Sequence, residues 1–112
     1  MNAIRIIPDD PIGLIRRYVR EGRILWTYHV NMRMKDRFIS RHMILKSVGN
    51  YEIIESYPED KYLPSYLVYS RYKDTIFHVL FALDVENINA RVITAYKPNS
   101  KEWSKDFKRR LK

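Results

Sequence analysis

Cysteine is absent from the 112 residues. Disulfides, thiol nucleophiles and cysteine-ligated zinc are therefore excluded. Glycine occurs only three times, at Gly13, Gly22 and Gly49, which is too few and too scattered for a phosphate-cradling loop or a dinucleotide fingerprint. No apolar run approaches the roughly 18 residues of a membrane span. Repeats, low-complexity tracts and Gly/Ser linkers are missing as well. The N-terminus carries Arg5 and then Pro8, Asp9 and Asp10, which does not fit a secretory signal. The three histidines, His29, His42 and His78, lack metal-ligand spacing. Together these absences predict one cytoplasmic domain over residues 1–112, without membrane association, metal or cofactor.

Basic charge and aromatic rings, by contrast, are abundant. Lys and Arg number 21 against 13 Asp and Glu, a net charge of +8. Residues 16–46 carry +7 and residues 97–112 carry +5, while residues 47–96 between them carry −3. If the two basic segments meet in the fold, they make one positive surface suited to phosphate. If they do not, they are solvated faces that keep the protein soluble. Nine Tyr, four Phe and two Trp can stack on bases, cover a sheet or dock a partner.

Local patterning predicts helices first and strands afterwards. Asp10 and Pro11 form a helix start, Ile12, Ile15 and Val19 its apolar face, and Gly22 its stop. Ile24 to Tyr28 reads as a strand or an extended lead-in. A second helix spans His29 to Arg37, with Val30, Met34 and Phe38 on one face and His29, Arg33 and Arg37 on the next. Ser40 caps a third helix reaching about Val48. Strands follow at Tyr51–Tyr57, Tyr66–Tyr72, Thr75–Leu83 and Ala90–Tyr96, the third apolar enough to be central. Ser100 is read as the cap of a last helix over 101–110. The expected fold is α+β: N-terminal helices, a four-stranded antiparallel meander and a C-terminal helix.

Cleaving RNA without a metal needs a base for the 2′-hydroxyl, an acid for the leaving oxygen and cations for the phosphate. Histidine titrates near neutrality and Arg binds phosphate bidentately. His29, Arg33 and Arg37 offer these types at helical spacing. The plainer alternatives are a local capping role for His29, and pairing of Arg33 and Arg37 with Glu52 or Glu55. His78 lies in the apolar strand, either as a satisfied core residue or as a second acid/base. Thr94 and Tyr96, read as sharing a face with Val92, can hold a phosphate or stack a base, or pack at the rim. Arg109 and Arg110 either bind phosphate or complement a helix dipole. His42 faces solvent.

The run Tyr28-His29, Arg33-Met34, Arg37, Ile39-Ser40 resembles the opening of the bacterial family DUF4258, a domain of unknown function. Glu52-Ile53-Ile54-Glu55 with Tyr57, Pro64-Ser65-Tyr66-Leu67-Val68, and His78-Val79 resemble its middle blocks. Ile93-Thr94-Ala95-Tyr96-Lys97-Pro98, Trp103, Asp106-Phe107 and Arg109-Arg110 resemble its close. The likeness covers about residues 12–110. The chain departs from the pattern at Ser70-Arg71-Tyr72, where a glycine is expected. The resemblance implies a small toxin-module protein of the RelE-like and barnase-like fold group, held by an acidic antitoxin.

Two readings of function follow. In the first, the protein is a metal-independent endoribonuclease, acting on free or ribosome-associated RNA. Arg33 and Arg37 hold the scissile phosphate, and His29 moves protons with His78 as the second participant. In the second, it is a non-catalytic module that uses the same basic surface for RNA or an acidic protein. Monomer and dimer are both open.

Overall fold

The computed structural model describes residues 6–111. Arg5 lies outside the described residues. Three short helices come first: α1 (Pro11–Arg20), α2 (Tyr28–Asp36) and α3 (Arg41–Lys46), the last running into a 3₁₀ turn at Val48–Asn50. Each begins on a side chain that accepts an otherwise orphaned backbone N–H. Asp10 takes Gly13 N, Thr27 takes Val30 N and Ser40 takes Met43 N. Strand β1 (Ile24–Trp26) sits between α1 and α2. After α3 come β2 (Glu52–Tyr57), β3 (Ser65–Tyr72), β4 (Thr75–Asp84) and β5 (Asn89–Tyr96).

The sheet differs from the expected one. It has five strands in the order β1-β5-β4-β3-β2, and β1 pairs with β5 in parallel, Ile24 opposite Ala90 and Trp26 opposite Val92. It is therefore a mixed sheet, and the four-stranded antiparallel meander is incorrect. A three-residue strand has too little periodicity to announce its partner. Its pairing joins segments more than 60 residues apart in the chain.

The C-terminal helix is also incorrect, since residues 99–111 form turns and one isolated bridge, Trp103 to Arg110. Ser100 does not cap. Instead Asn99 Oδ1 accepts from the N–H groups of Lys101 and Glu102, each at 3.0 Å. Ser104 and Asp106 bond each other and the local backbone, and Phe107 has φ +61°. Short polar side chains that bond their own backbone compete with helix formation.

Two bulges set which side chains share a face. Ile53 opposes Val68 and Glu55 opposes Leu67, so Ile54 is the extra residue; likewise Leu80 opposes Thr94 and Phe81 opposes Val92, so Ile93 is extra. Each extra residue shifts the alternation by one. Val92 thus faces the helices, whereas Thr94 and Tyr96 turn to the opposite face with His78 and Leu80. The expected sharing of a face by Val92, Thr94 and Tyr96 is incorrect for this reason.

The helix side of the sheet carries the main core: Ile15, Val30, Met34 and Ile44 packed on Val68, Phe77, Val79, Phe81 and Val92. Phe38 was expected to continue the Val30–Met34 stripe but is 82% exposed. The helix has ended by then. Ile39 N bonds Met34 O and Phe38 N bonds Lys35 O, the bond pattern of a Schellman ending, which places Phe38 in the left-handed region at φ +57°. Its side chain is thereby turned away from the apolar stripe, and Ile39 enters the core instead.

Candidate functional site

The sequence-derived residues fall into two groups on different parts of the molecule. The first lies along α2 and the adjoining edge of β5. His29 and Arg33 are both exposed, one helical turn apart, and Arg33 Nε donates to His29 Nε2 at 3.0 Å. That bond assigns the Nε2 lone pair as unprotonated and leaves the proton on Nδ1. One turn further, Arg37 Nη1 donates to the carbonyl of Ala95 at 2.7 Å and to Thr94 Oγ1 at 3.3 Å. Strand β1 stops opposite Val92, so beyond it β5 presents unpaired backbone groups. Arg37 satisfies one of them. A guanidinium has more donors than these bonds use, so Arg37 retains N–H groups for an anion. Arg33 and Arg37 do not pair with Glu52 or Glu55.

Those two carboxylates belong to the second group, on the sheet face opposite the helices, where the C-terminal segment crosses. Lys108 Nζ lies 3.0 Å from Glu52. Arg110 bonds Glu55 through Nε at 3.2 Å and Nη2 at 3.0 Å, and its guanidinium lies 4.5 Å from the centre of the Trp103 ring. Tyr57 donates its hydroxyl to the same Glu55 carboxylate. These bonds, led by that from Arg110, hold Glu55 below the usual carboxylate range.

His78 sits at the centre of this second group and is fully buried. Its ring packs edge-on against Trp103 at 4.5 Å and Tyr96 at 5.3 Å. Nε2 lies 2.8 Å from the carbonyl oxygen of Phe107, so it donates; Nδ1 then accepts from the Tyr96 hydroxyl at 3.2 Å. Burial lowers its pKa, outweighing the carbonyl bond that favours the charged ring. Burial likewise raises the pKa of Tyr96. Both ring nitrogens of His78 are engaged by protein groups, so in this arrangement the imidazole reaches no substrate.

Sequence reasoning named His78, Tyr96 and Arg110 but missed what joins them: Glu55, Tyr57 and Trp103. A Trp amid the polar residues at 99–111 was the available signal, because a large ring there needs a surface to cover. Arg109 remains exposed, its backbone N–H bonded to Ser104 Oγ. His42 is exposed too, within 3.2 Å of the Tyr72 hydroxyl. Among the described residues no group of His, Asp and Glu could hold a metal ion. No helix among them is long and apolar enough to cross a membrane.

The molecule is thus an α+β domain with a mixed sheet, helices on one face, a C-terminal clasp on the other, and a His-Arg-Arg row, exposed at His29 and Arg33 and half-buried at Arg37, beside one sheet edge. The family model described as "Domain of unknown function (DUF4258)" matches residues 26–97, and the chain belongs to that family. No curated protein and no solved structure matches the chain.

Proposed function

We propose that the protein is a metal-independent ribonuclease of the RelE-like toxin type, working through the exposed row on α2. The observation that carries this reading is the 3.0 Å bond between Arg33 and His29, one turn from Arg37 on the β5 edge. It joins an acid/base group to one guanidinium group at an accessible surface, with the second guanidinium one turn further on. Arg33 and Arg37 hold the scissile phosphate and offset the charge that grows on it. His29 takes the 2′-hydroxyl proton when substrate displaces the Arg33 bond; the 2′-oxygen then attacks phosphorus, the bond to the 5′-oxygen breaks, and that oxygen takes its proton from solvent water. Thr94 supports the phosphate from β5. His78, Tyr96 and Arg110 hold the C-terminal segment, and Arg109 adds positive charge at its end. An acidic antitoxin is drawn to the same cationic row. The RelE-like and barnase-like grouping rests on the family likeness alone.

The test is cleavage of RNA, free and ribosome-bound, in EDTA, by the parent protein and by His29→Ala. Cleavage that resists EDTA and falls by about 10²-fold or more in the variant supports the reading. No cleavage of either substrate overturns it.

One observation favours a second reading, a non-catalytic RNA- or protein-binding module. Cleavage needs both a base and an acid, and the burial of His78 leaves His29 as the only histidine in the row. In a binder, Arg33→Ala weakens RNA affinity and flattens its salt dependence, while His29→Ala changes little.

A further inference from the structure

Phe38 is an aromatic ring left outside the hydrophobic core. It occupies the left-handed position that ends α2, where glycine is the usual residue. Lys73 and Ile88 adopt similar φ values, but within the tight connections between strands. Phe38 differs in carrying a large apolar group 82% exposed to solvent. Its surroundings are cationic. Arg37 precedes it, held to the β5 edge by the Ala95 carbonyl. Lys97 places its ammonium 5.9 Å from the centre of the Phe38 ring, at the outer limit of a cation–π contact. Arg33 lies one turn back along α2.

We infer that Phe38 is a stacking platform for an unpaired nucleobase of a single-stranded RNA, next to the phosphate held by Arg33 and Arg37. A single strand alternates flat apolar bases with anionic phosphates, and this end of α2 alternates a flat ring with cations in the same way. Base–aromatic stacking is tolerant of sequence because every base has a π-face. Bases in a duplex are already stacked on one another, so the platform selects single strands, loops and ends. Arg37, fixed at β5, sets the spacing between the phosphate site and the ring. This inference rests on the cationic row binding RNA, and it adds the strand type and the base contact.

The decisive substitution is Phe38→Gly. It removes the ring and relieves the left-handed backbone, so thermal stability is unchanged or higher while binding falls. Affinity is measured by fluorescence anisotropy with a labelled single-stranded oligoribonucleotide and with its duplex. Loss of about tenfold for the single strand, with an unaltered salt slope and near-parental binding by Phe38→Trp, is the expected result. Tyr62→Ala removes an equally exposed ring on the β2–β3 connection and leaves affinity unchanged. A 2-aminopurine base in the oligonucleotide is quenched by the parent and not by Phe38→Gly. If Phe38→Gly binds within about twofold of the parent, the inference is overturned and the ribonuclease reading stands. If the parent binds no RNA at low salt, both fall.

Discussion

His78 Nε2 donates to the carbonyl oxygen of Phe107 at 2.8 Å, tying the centre of the sheet to the turn that closes the C-terminal segment. The bond requires only a neutral ring, because Nδ1 is occupied as an acceptor for Tyr96. A second proton would reverse that bond, with Nδ1–H donating to the Tyr96 oxygen, and place a charge under Trp103.

Stability therefore depends on pH through His78. Its folded pKa is lowered, chiefly by burial, while the unfolded chain titrates near the ordinary value of about 6.5. Between those two values the unfolded state binds the proton and the folded state does not. The stabilisation is complete above about pH 6.5 and declines as pH falls below it. Thermal melts across this range should show a falling Tm in the parent, and His78→Gln should flatten that decline. An equal decline in both proteins would place its source elsewhere.

Glu55 acts in a lower window. Its folded pKa is depressed, first by the Arg110 bond, so its contribution is present above the usual carboxylate range and lost as pH falls through the folded value. The Arg110 side chain is 52% exposed, and solvent screening keeps the pair to about 0.5–1 kcal/mol. Arg110→Ala should cost about that much in urea unfolding. It should also speed hydrogen exchange in residues 99–111 more than in β4.

Trp103 should matter far more than the ion pair above it. It is 2% exposed and covers His78. Truncating a buried Trp costs about 3–5 kcal/mol, so Trp103→Ala should unfold at much lower denaturant and bare the sheet face to protease. Trp103→Phe should recover most of that loss.

At the opposite edge, Arg37→Lys tests geometry against charge. Lysine keeps the charge but cannot bond the Ala95 carbonyl and Thr94 hydroxyl from one planar group. Loss of a charged hydrogen bond costs about 1.5–3 kcal/mol, partly offset here by water at the half-exposed edge. RNA affinity at low salt should fall less for Arg37→Lys than for Arg37→Ala, while the two lose similar stability.

Much of the helical half was legible because its signals are local. Asp10, Thr27 and Ser40 each act on a backbone N–H three residues away, so the sequence around them carries the whole instruction. Thr27 itself was passed over, although it stands one residue before the helix. The central place of Thr75–Leu83 was legible for the same reason: continuous apolarity is a property of neighbours.

The site was legible only in pieces. The helical period brings His29, Arg33 and Arg37 to one side of α2, and the structure keeps them there. Their relation to His78 was invisible, since it depends on which sheet face each strand presents. The unpaired Ile54 and Ile93 decide that, and a bulge leaves no mark in an apolar run.

By itself the sequence determined the helix starts, the basic row on α2 and the sheet's central apolar strand, because capping and side-chain period act over a few residues. Tertiary structure alone decided the parallel pairing of β1 with β5, the bulges that turn Glu55 and Thr94 to the face opposite the helices, and the clasp formed there by residues 99–111. Those features arise where distant segments compete for the same hydrogen bonds and the same buried surface. The winner is set by packing across the whole domain, which no short window of sequence contains.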